Sequence, residues 1–161
     1  MAVNAYLMIK GQKQGAINGP VTVKQHENSI LIHAFDNQVT SPRDPTTGQA
    51  SGKRQHQPVM ILKDVDTTSP QLWTALVTNE TLTSWVLGFW MTTAAGVEML
   101  SYTVTLTNAS IVSIDEFMAD NLLPANVGLP LREQITFTYQ KIQWTWTEGA
   151  ITATDDWTAG A

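Results

Sequence analysis

Regular alternation of side-chain character is the main pattern along this chain. Near the start, Ala5, Leu7 and Ile9 occupy every second position, so a strand at this place has one aliphatic face. Runs of the same kind predict further strands at Val21–Gln25, Ile30–Val39, Pro58–Val65, Thr81–Thr92, Gly96–Asn108, Ala109–Met118, Glu133–Thr147 and Ala150–Thr154. The turn-forming residues at positions 27–29 predict a hairpin between the second and third strands.

One segment has helical spacing instead. Starting from Leu72, apolar residues recur at i, i+3 and i+4, which places them on one face of a short helix. Ser69 is predicted to cap this helix and Pro70 to occupy its first turn. The helix is expected to end near Asn79.

Two segments lack any strand or helix pattern. Thr40–Gln57 contains two prolines, two glycines and no strong apolar residue, and Asp120–Arg132 contains Pro124, Gly128 and Pro130. A loop as long as Thr40–Gln57 is uncommon inside a compact domain and is usually functional or disordered. Two interpretations stay open: a mobile surface loop, or an arm that orders against a neighbouring subunit.

These elements predict a mainly β fold. About eight to ten short strands with one short flanking α-helix and a long extended loop fit a closed β-barrel, because closure removes exposed strand edges. The 22 threonines and six tryptophans agree with pleated, half-buried surfaces. At 161 residues, a single domain covering residues 1–161 is expected.

Charge and composition narrow the function. The net charge of −5 argues against a nucleic-acid partner, which requires a basic face. Charged residues make up only 14% of the chain, so its polar surface is largely uncharged and suits protein–protein contact. Residues 1–80 hold seven Lys and Arg against six Asp and Glu, whereas residues 81–161 hold two against eight.

The sequence contains no cysteine and no recognisable signal for export or membrane insertion. Cysteine is absent, which excludes disulfides and thiolate metal sites. The start, MAVNAYLMIKGQK, lacks the pattern of a cleavable signal peptide, and the longest apolar stretch is too short to span a bilayer. We therefore expect synthesis in the cytoplasm, any export to occur without a cleavable signal peptide, and no membrane insertion.

No catalytic or metal-binding constellation is evident. His26, His33 and His56 lack the spacing of a metal motif, so structural roles are favoured for them. The carboxylate pairs Asp115-Glu116 and Asp155-Asp156 consist of adjacent residues, whose side chains diverge on a strand. We expect no enzymatic activity, cofactor or metal, and the tryptophans are predicted in the core or an interface. A secreted hydrolase on a β scaffold and a lectin-like binding module remain the alternatives.

Several segments together resemble one known family. They are the start MAVNAYLMIKG, the loop core TGQASGKRQHQPV, the helix entry DVDTTSPQLWTAL and the ending EQITFTYQKIQWTWTEGAITATDDW. In this order and spacing, which cover nearly the whole chain, they resemble the haemolysin-coregulated protein (Hcp) family of the type VI secretion system. The resemblance implies a β-barrel with one helix, six copies of which form a ring.

The resemblance also implies what the ring does. Rings of this family stack head to tail into an inner tube, which a contractile sheath propels with a spike at its tip. Members of the family also carry small effector proteins in the ring lumen. The implied partners are therefore other copies of the chain, the sheath and spike proteins, and effectors.

The long loop is the expected contact region. Ordering a loop costs about 1–2 kcal/mol of backbone entropy per residue, and the side chains of Thr40–Gln57 bury too little to offset that cost. A neighbouring subunit or the next ring would supply the missing contacts. The predicted polar contacts are Arg43, Asp44, Lys53, Arg54 and His56.

Overall fold

The alternating runs form β-sheets in a computed structural model, which describes residues 3–159. In chain order the elements are β1 (Val3–Gly11), β2 (Gly15–Ile17), β3 (Ile30–Ile32), β4 (Ala34–Asp36), β5 (Val39–Thr40), β6 (Gln55–His56), β7 (Val59–Asp64), α1 (Ser69–Val77), β8 (Leu82–Thr92), β9 (Glu98–Thr107), β10 (Ser110–Phe117), β11 (Arg132–Thr138), β12 (Lys141–Trp146) and β13 (Ile151–Asp156). The protein is therefore mainly β with one helix, as the sequence predicts.

The larger sheet has seven strands in the order β13-β12-β9-β8-β1-β2, with β3 also paired to β1. Its register aligns Leu7 with Leu87, Leu87 with Val104, and Val104 with Trp144. Directly opposed residues share one face of a sheet, so this row of side chains points into the core. The predicted aliphatic face of the first strand is confirmed, since Ala5, Leu7 and Ile9 are all buried.

A four-stranded sheet in the order β10-β11-β7-β4 covers this core. Its buried side chains include Val59, Ile61 and Ile135, and Phe137 meets Trp85 of the larger sheet edge to face at 5.4 Å between ring centroids. A third sheet contains only β5 and β6. Over residues 3–159 no continuous ladder joins the sheets, so the expected closed barrel is not confirmed and the described strands form open, packed sheets.

Two runs predicted as single strands are divided between sheets. Ile30–Val39 becomes β3, β4 and β5, and each of these strands belongs to a different sheet. Glu133–Thr147 is interrupted at Tyr139 and Gln140, so that β11 and β12 also lie in different sheets. At the second corner the alternation changes phase, because the buried positions are Ile135, Phe137 and Tyr139 before it and Ile142 after it.

The predicted strand at Val21–Gln25 is wrong. The second strand is instead Gly15–Ile17, which forms a hairpin with β1. Gln25 and Asn28 have positive φ angles of 76° and 65°, values that an extended strand does not contain. Residues 18–29 form an irregular loop. The two ends of this loop lie so close together that a Cβ atom on Gly19 would overlap the carbonyl oxygen of Ser29.

The helix lies where its apolar spacing predicts, but its start differs. Thr68 rather than Ser69 is the N-terminal capping residue, and its side chain makes no capping hydrogen bond. The Ser69 hydroxyl instead accepts the backbone N–H of Asp66 and donates to the buried carboxylate of Glu133, which also pairs with Lys63. No helix among the described residues has the length and hydropathy to cross a membrane.

Candidate assembly surfaces

The predicted long loop folds as a projecting hairpin. Its base is the two-stranded pairing of Val39–Thr40 with Gln55–His56, and Arg43 pairs with Ala50 further out. At the tip, the Asp44 carboxylate accepts the backbone N–H groups of Thr46 and Thr47 at 2.7 and 3.0 Å. We call residues 39–57 the arm. Its own backbone pairing gives it an ordered shape, although none of residues 41–53 is buried.

The electrostatics of the tip follow from this turn. The N–H groups of Thr47 and Thr46 hold the pKa of the Asp44 carboxyl below its ordinary value, since both stabilise the charged form. Gly48, with a φ of 75°, closes the turn in a conformation that favours glycine. Asp44 therefore has a structural role within the arm, which the sequence did not indicate.

The base of the arm is held by a polar cluster. His56 lies between the Asp155 carboxylate, 2.6 Å from Nε2, and the Tyr139 hydroxyl, 2.8 Å from Nδ1. Arg54 donates to the Asp155 carboxylate and to the Asp156 carbonyl. Trp157 packs edge to face against the His56 ring. The cluster fastens the arm to β13 and to the corner between β11 and β12.

The five residues predicted as interface contacts are thereby separated into two groups. Arg43 and Lys53 are exposed on the projecting part of the arm and Asp44 is half-buried at its turn. Arg54 and His56 make their observed contacts with the C-terminal strand of the same chain. Arg54 therefore has an acidic partner, Asp155, within its own chain.

Sequence reasoning missed Asp155, Tyr139 and Trp157 as partners of His56. The contacts of His56 with Tyr139 and Asp155 span 83 and 99 positions, so no local spacing could indicate them. The excess of acidic residues in the second half of the chain was the one available signal. It indicated the charge of the partner but not its position.

The other histidines and carboxylates occupy structural positions. His26 is buried, stacks on Tyr6 with ring centroids 3.9 Å apart, and contacts Glu98 at 3.0 Å. His33 contacts Asp64 at 3.1 Å. The Glu116 carboxylate accepts the indole N–H of Trp73. Within residues 3–159 no group of three or more His, Cys, Asp or Glu side chains is placed to hold a metal ion.

The architecture and these surfaces place the chain in a class. Two open β-sheets, one short helix and a projecting hairpin arm define a mainly β protein, and solved structures with this fold are described as Hcp proteins. One Hcp crystal structure superposes with a TM-score of 0.90 at 26% identity, covering 99% of this chain and 100% of that one. Hcp1 from the E. coli EAEC 042 pathovar gives a TM-score of 0.85 at 31% identity, with 97% and 99% covered.

Sequence comparison agrees with the fold. A family model described as "Type VI secretion system effector, Hcp" matches residues 6–146. The "Major exported protein" of Pseudomonas aeruginosa is 37% identical over 166 aligned residues, which cover 98% of this chain and 96% of that protein. The chain belongs to the Hcp family of the type VI secretion system.

Proposed function

We propose that this chain is a structural subunit of the inner tube of a type VI secretion system. In this proposal six copies form a ring, rings stack head to tail, and sheath contraction expels the resulting tube. The observation that carries the proposal is the match to Hcp proteins over nearly their full length, in fold and in sequence. A single domain covering the whole chain is the repeating unit.

The partners follow from this role. Copies of the chain contact one another within and between rings, sheath and spike proteins contact the tube, and effector proteins occupy the lumen. Export is supported by relatives described as "Major exported protein" and, for Hcp3 of Pseudomonas aeruginosa, as a secreted protein. A low density of charge on the surface favours such extensive contact between copies.

A non-enzymatic role is part of the proposal. The cluster of Tyr139, His56 and Asp155 resembles a proton relay, but the His56 side chain is only 1% exposed and both of its ring nitrogens are occupied. Substrate therefore has no access to the imidazole. A sugar-binding role is equally disfavoured, because five of the six tryptophans are buried or half-buried and only Trp146 is exposed.

Sheath-dependent export tests the proposed function. An epitope-tagged chain is expressed in a bacterium with an active type VI secretion system and in the same strain without its sheath gene. We expect the chain in the culture medium of the first strain and its retention in cells of the second. Equal amounts in both media, with a cytoplasmic marker absent from each, would contradict the proposal.

A further inference from the structure

The connection between β10 and β11 presents apolar side chains to solvent. None of residues 118–131 is buried, and Leu122 and Val127 are 87% and 71% exposed. The other exposed apolar residues of the segment are Met118, Leu123, Leu129 and Leu131. The segment carries one charge, at Asp120. We call residues 118–131 the leucine loop. Contiguous exposed apolar side chains mark a contact surface more often than a solvated one.

Internal hydrogen bonds give the leucine loop a defined shape. The Asp120 carboxylate accepts the N–H of Leu122 at 3.0 Å, and the Asp120 carbonyl accepts the N–H of Leu123 and the side-chain amide of Asn126. Pro124–Asn126 forms one turn of 3-10 helix. Because the loop is ordered before any contact forms, its association loses little conformational entropy.

An apolar groove lies at one end of the larger sheet. β8 and β9, with 11 and 10 residues, are longer than any strand of the four-stranded sheet, and Met91 and Met99 near their joined ends are not buried. Met91 opposes Val3 and Met99 there, and Trp146 opposes Ile151. A cavity of about 170 Å³ is lined by Met91, Met99, Leu100 and Trp146. We call it the end groove.

The two surfaces are both apolar and belong to different parts of the chain. The leucine loop exposes its apolar side chains, the end groove is an open apolar cavity, and no residue of the loop lines the groove. Methionine side chains adapt to the shape of an apolar partner, which suits a groove lined by Met91 and Met99. A projection that matches a cavity elsewhere on the same molecule joins copies head to tail, and the result is a ring or a filament.

We propose that the leucine loop of one copy occupies the end groove of the next. This inference rests on the proposed ring-forming function and names the surfaces that join the copies. Both surfaces have acidic neighbours, Asp120 on the loop and Glu148 at the groove, so burial of apolar area rather than ionic attraction drives the contact.

The exposed apolar area of the leucine loop can be compared with the size of a stable interface. Full burial of an aliphatic side chain removes roughly 60–120 Å² from water, so six side chains that are 41–87% exposed can lose roughly 200–450 Å². A stable interface of standard size buries about 800 Å² on each partner. The leucine loop therefore supplies part of that area.

Cysteine cross-linking tests the proposal directly, because the chain has no cysteine of its own. Leu122→Cys and Met99→Cys proteins are mixed and treated with a short thiol–thiol cross-linker. We expect a covalent dimer in the mixture and little in either protein alone. Leu122→Cys mixed with Val77→Cys is the matched control, since Val77 is exposed on α1 outside both surfaces. Equal cross-linking in the test and control mixtures would overturn the proposal.

A double variant provides an independent measurement. Leu122→Ser with Leu123→Ser should raise the dissociation constant for assembly by about tenfold or more and leave the melting temperature of the monomer unchanged, because both residues are exposed in the free chain. If the wild-type chain assembles and the variant assembles equally well, the loop-and-groove contact is wrong while the tube function stands. If the wild-type chain itself stays monomeric, both are overturned.

Discussion

At the scale of single residues, buried polar side chains connect segments that are distant in sequence. His26 contacts Glu98, Lys63 pairs with Glu133, and Glu80 accepts the backbone N–H groups at the turn after β1. A buried polar group without a partner costs roughly 1–3 kcal/mol, so each pairing specifies where its segment must lie. The irregular loop, the helix entry and the first hairpin are held in this way.

The link between Arg54, His56 and Asp155 leads to a pH-dependent prediction. The Arg54 hydrogen bond, followed by that from His56, holds the pKa of the Asp155 carboxyl below its ordinary value, against the opposing effect of burial. A lowered pKa in the folded state stabilises the fold at pH values above the ordinary pKa of 3.8. This stabilisation is lost as the pH falls through the folded-state pKa.

We therefore expect Asp155→Asn to lower the melting temperature at neutral pH. Loss of a charged hydrogen bond costs about 1.5–3 kcal/mol, which corresponds to a decrease of roughly 3–12 °C in a chain of this size. The difference from wild type should shrink as the pH falls below about 4. Thermal unfolding followed by circular dichroism measures it. Asp115→Asn, at an exposed position on β10, is the control, and an equal effect of both substitutions would contradict this role for Asp155.

At the scale of elements, the sequence predicts strands better than it predicts their partners. The alternation that identifies β1, β8, β9 and β10 is a local property, and the helix is recognised from the spacing around Leu72. At Tyr139 the apolar alternation shifts by one position, from Phe137 and Tyr139 to Ile142, and the sequence prediction treats this phase change as one continuous strand. The strand prediction at Val21–Gln25 is wrong because Gln25 takes a positive φ angle and the segment folds back on itself, with the N–H of His26 bonded to Val23 and that of Asn28 to Val21.

For the arm, too, the sequence predicts the segment but not its pairing partners. The sequence predicts a long polar segment with charged contact residues, but it does not predict that the segment pairs with itself. Thr40 and Gln55 oppose each other across 15 positions of chain with no strong apolar residue to indicate a strand. The pairing depends on the anchoring of His56 by Tyr139 and Asp155, which only the folded structure brings together.

The arm remains the predicted contact with a neighbouring subunit or the next ring. Replacing Arg43–Lys53 with a short Gly-Ser link leaves Arg54 and His56 in place, so the fold and the melting temperature should change little. We expect rings to survive and stacking to be lost, because the exposed part of the arm projects from the sheets. Electron microscopy of negatively stained particles distinguishes single rings from tubes.

The single substitution Arg43→Ala is the matched comparison for this replacement. An exposed ion pair contributes about 0–1 kcal/mol, so this variant should stack almost as well as wild type. Normal stacking and secretion after removal of residues 43–53 would show that the arm is only a surface segment, whatever the effect of the single substitution.

At the scale of the whole molecule, the chain leaves several surfaces uncovered. The arm projects, the leucine loop exposes six apolar side chains, and the end groove is open. A monomeric protein does not need these exposed surfaces, and their apolar side chains would promote aggregation. A closed ring of identical copies covers such surfaces while limiting the number of subunits.

The central claim is that identical copies of this chain form a closed ring of six. Native mass spectrometry of the purified protein at micromolar concentration measures this most directly, since it counts the subunits in each assembled species. The chain has a mass of 17.7 kDa, and the account predicts a dominant species with six times that mass. A spectrum that contains only monomer and dimer would contradict it.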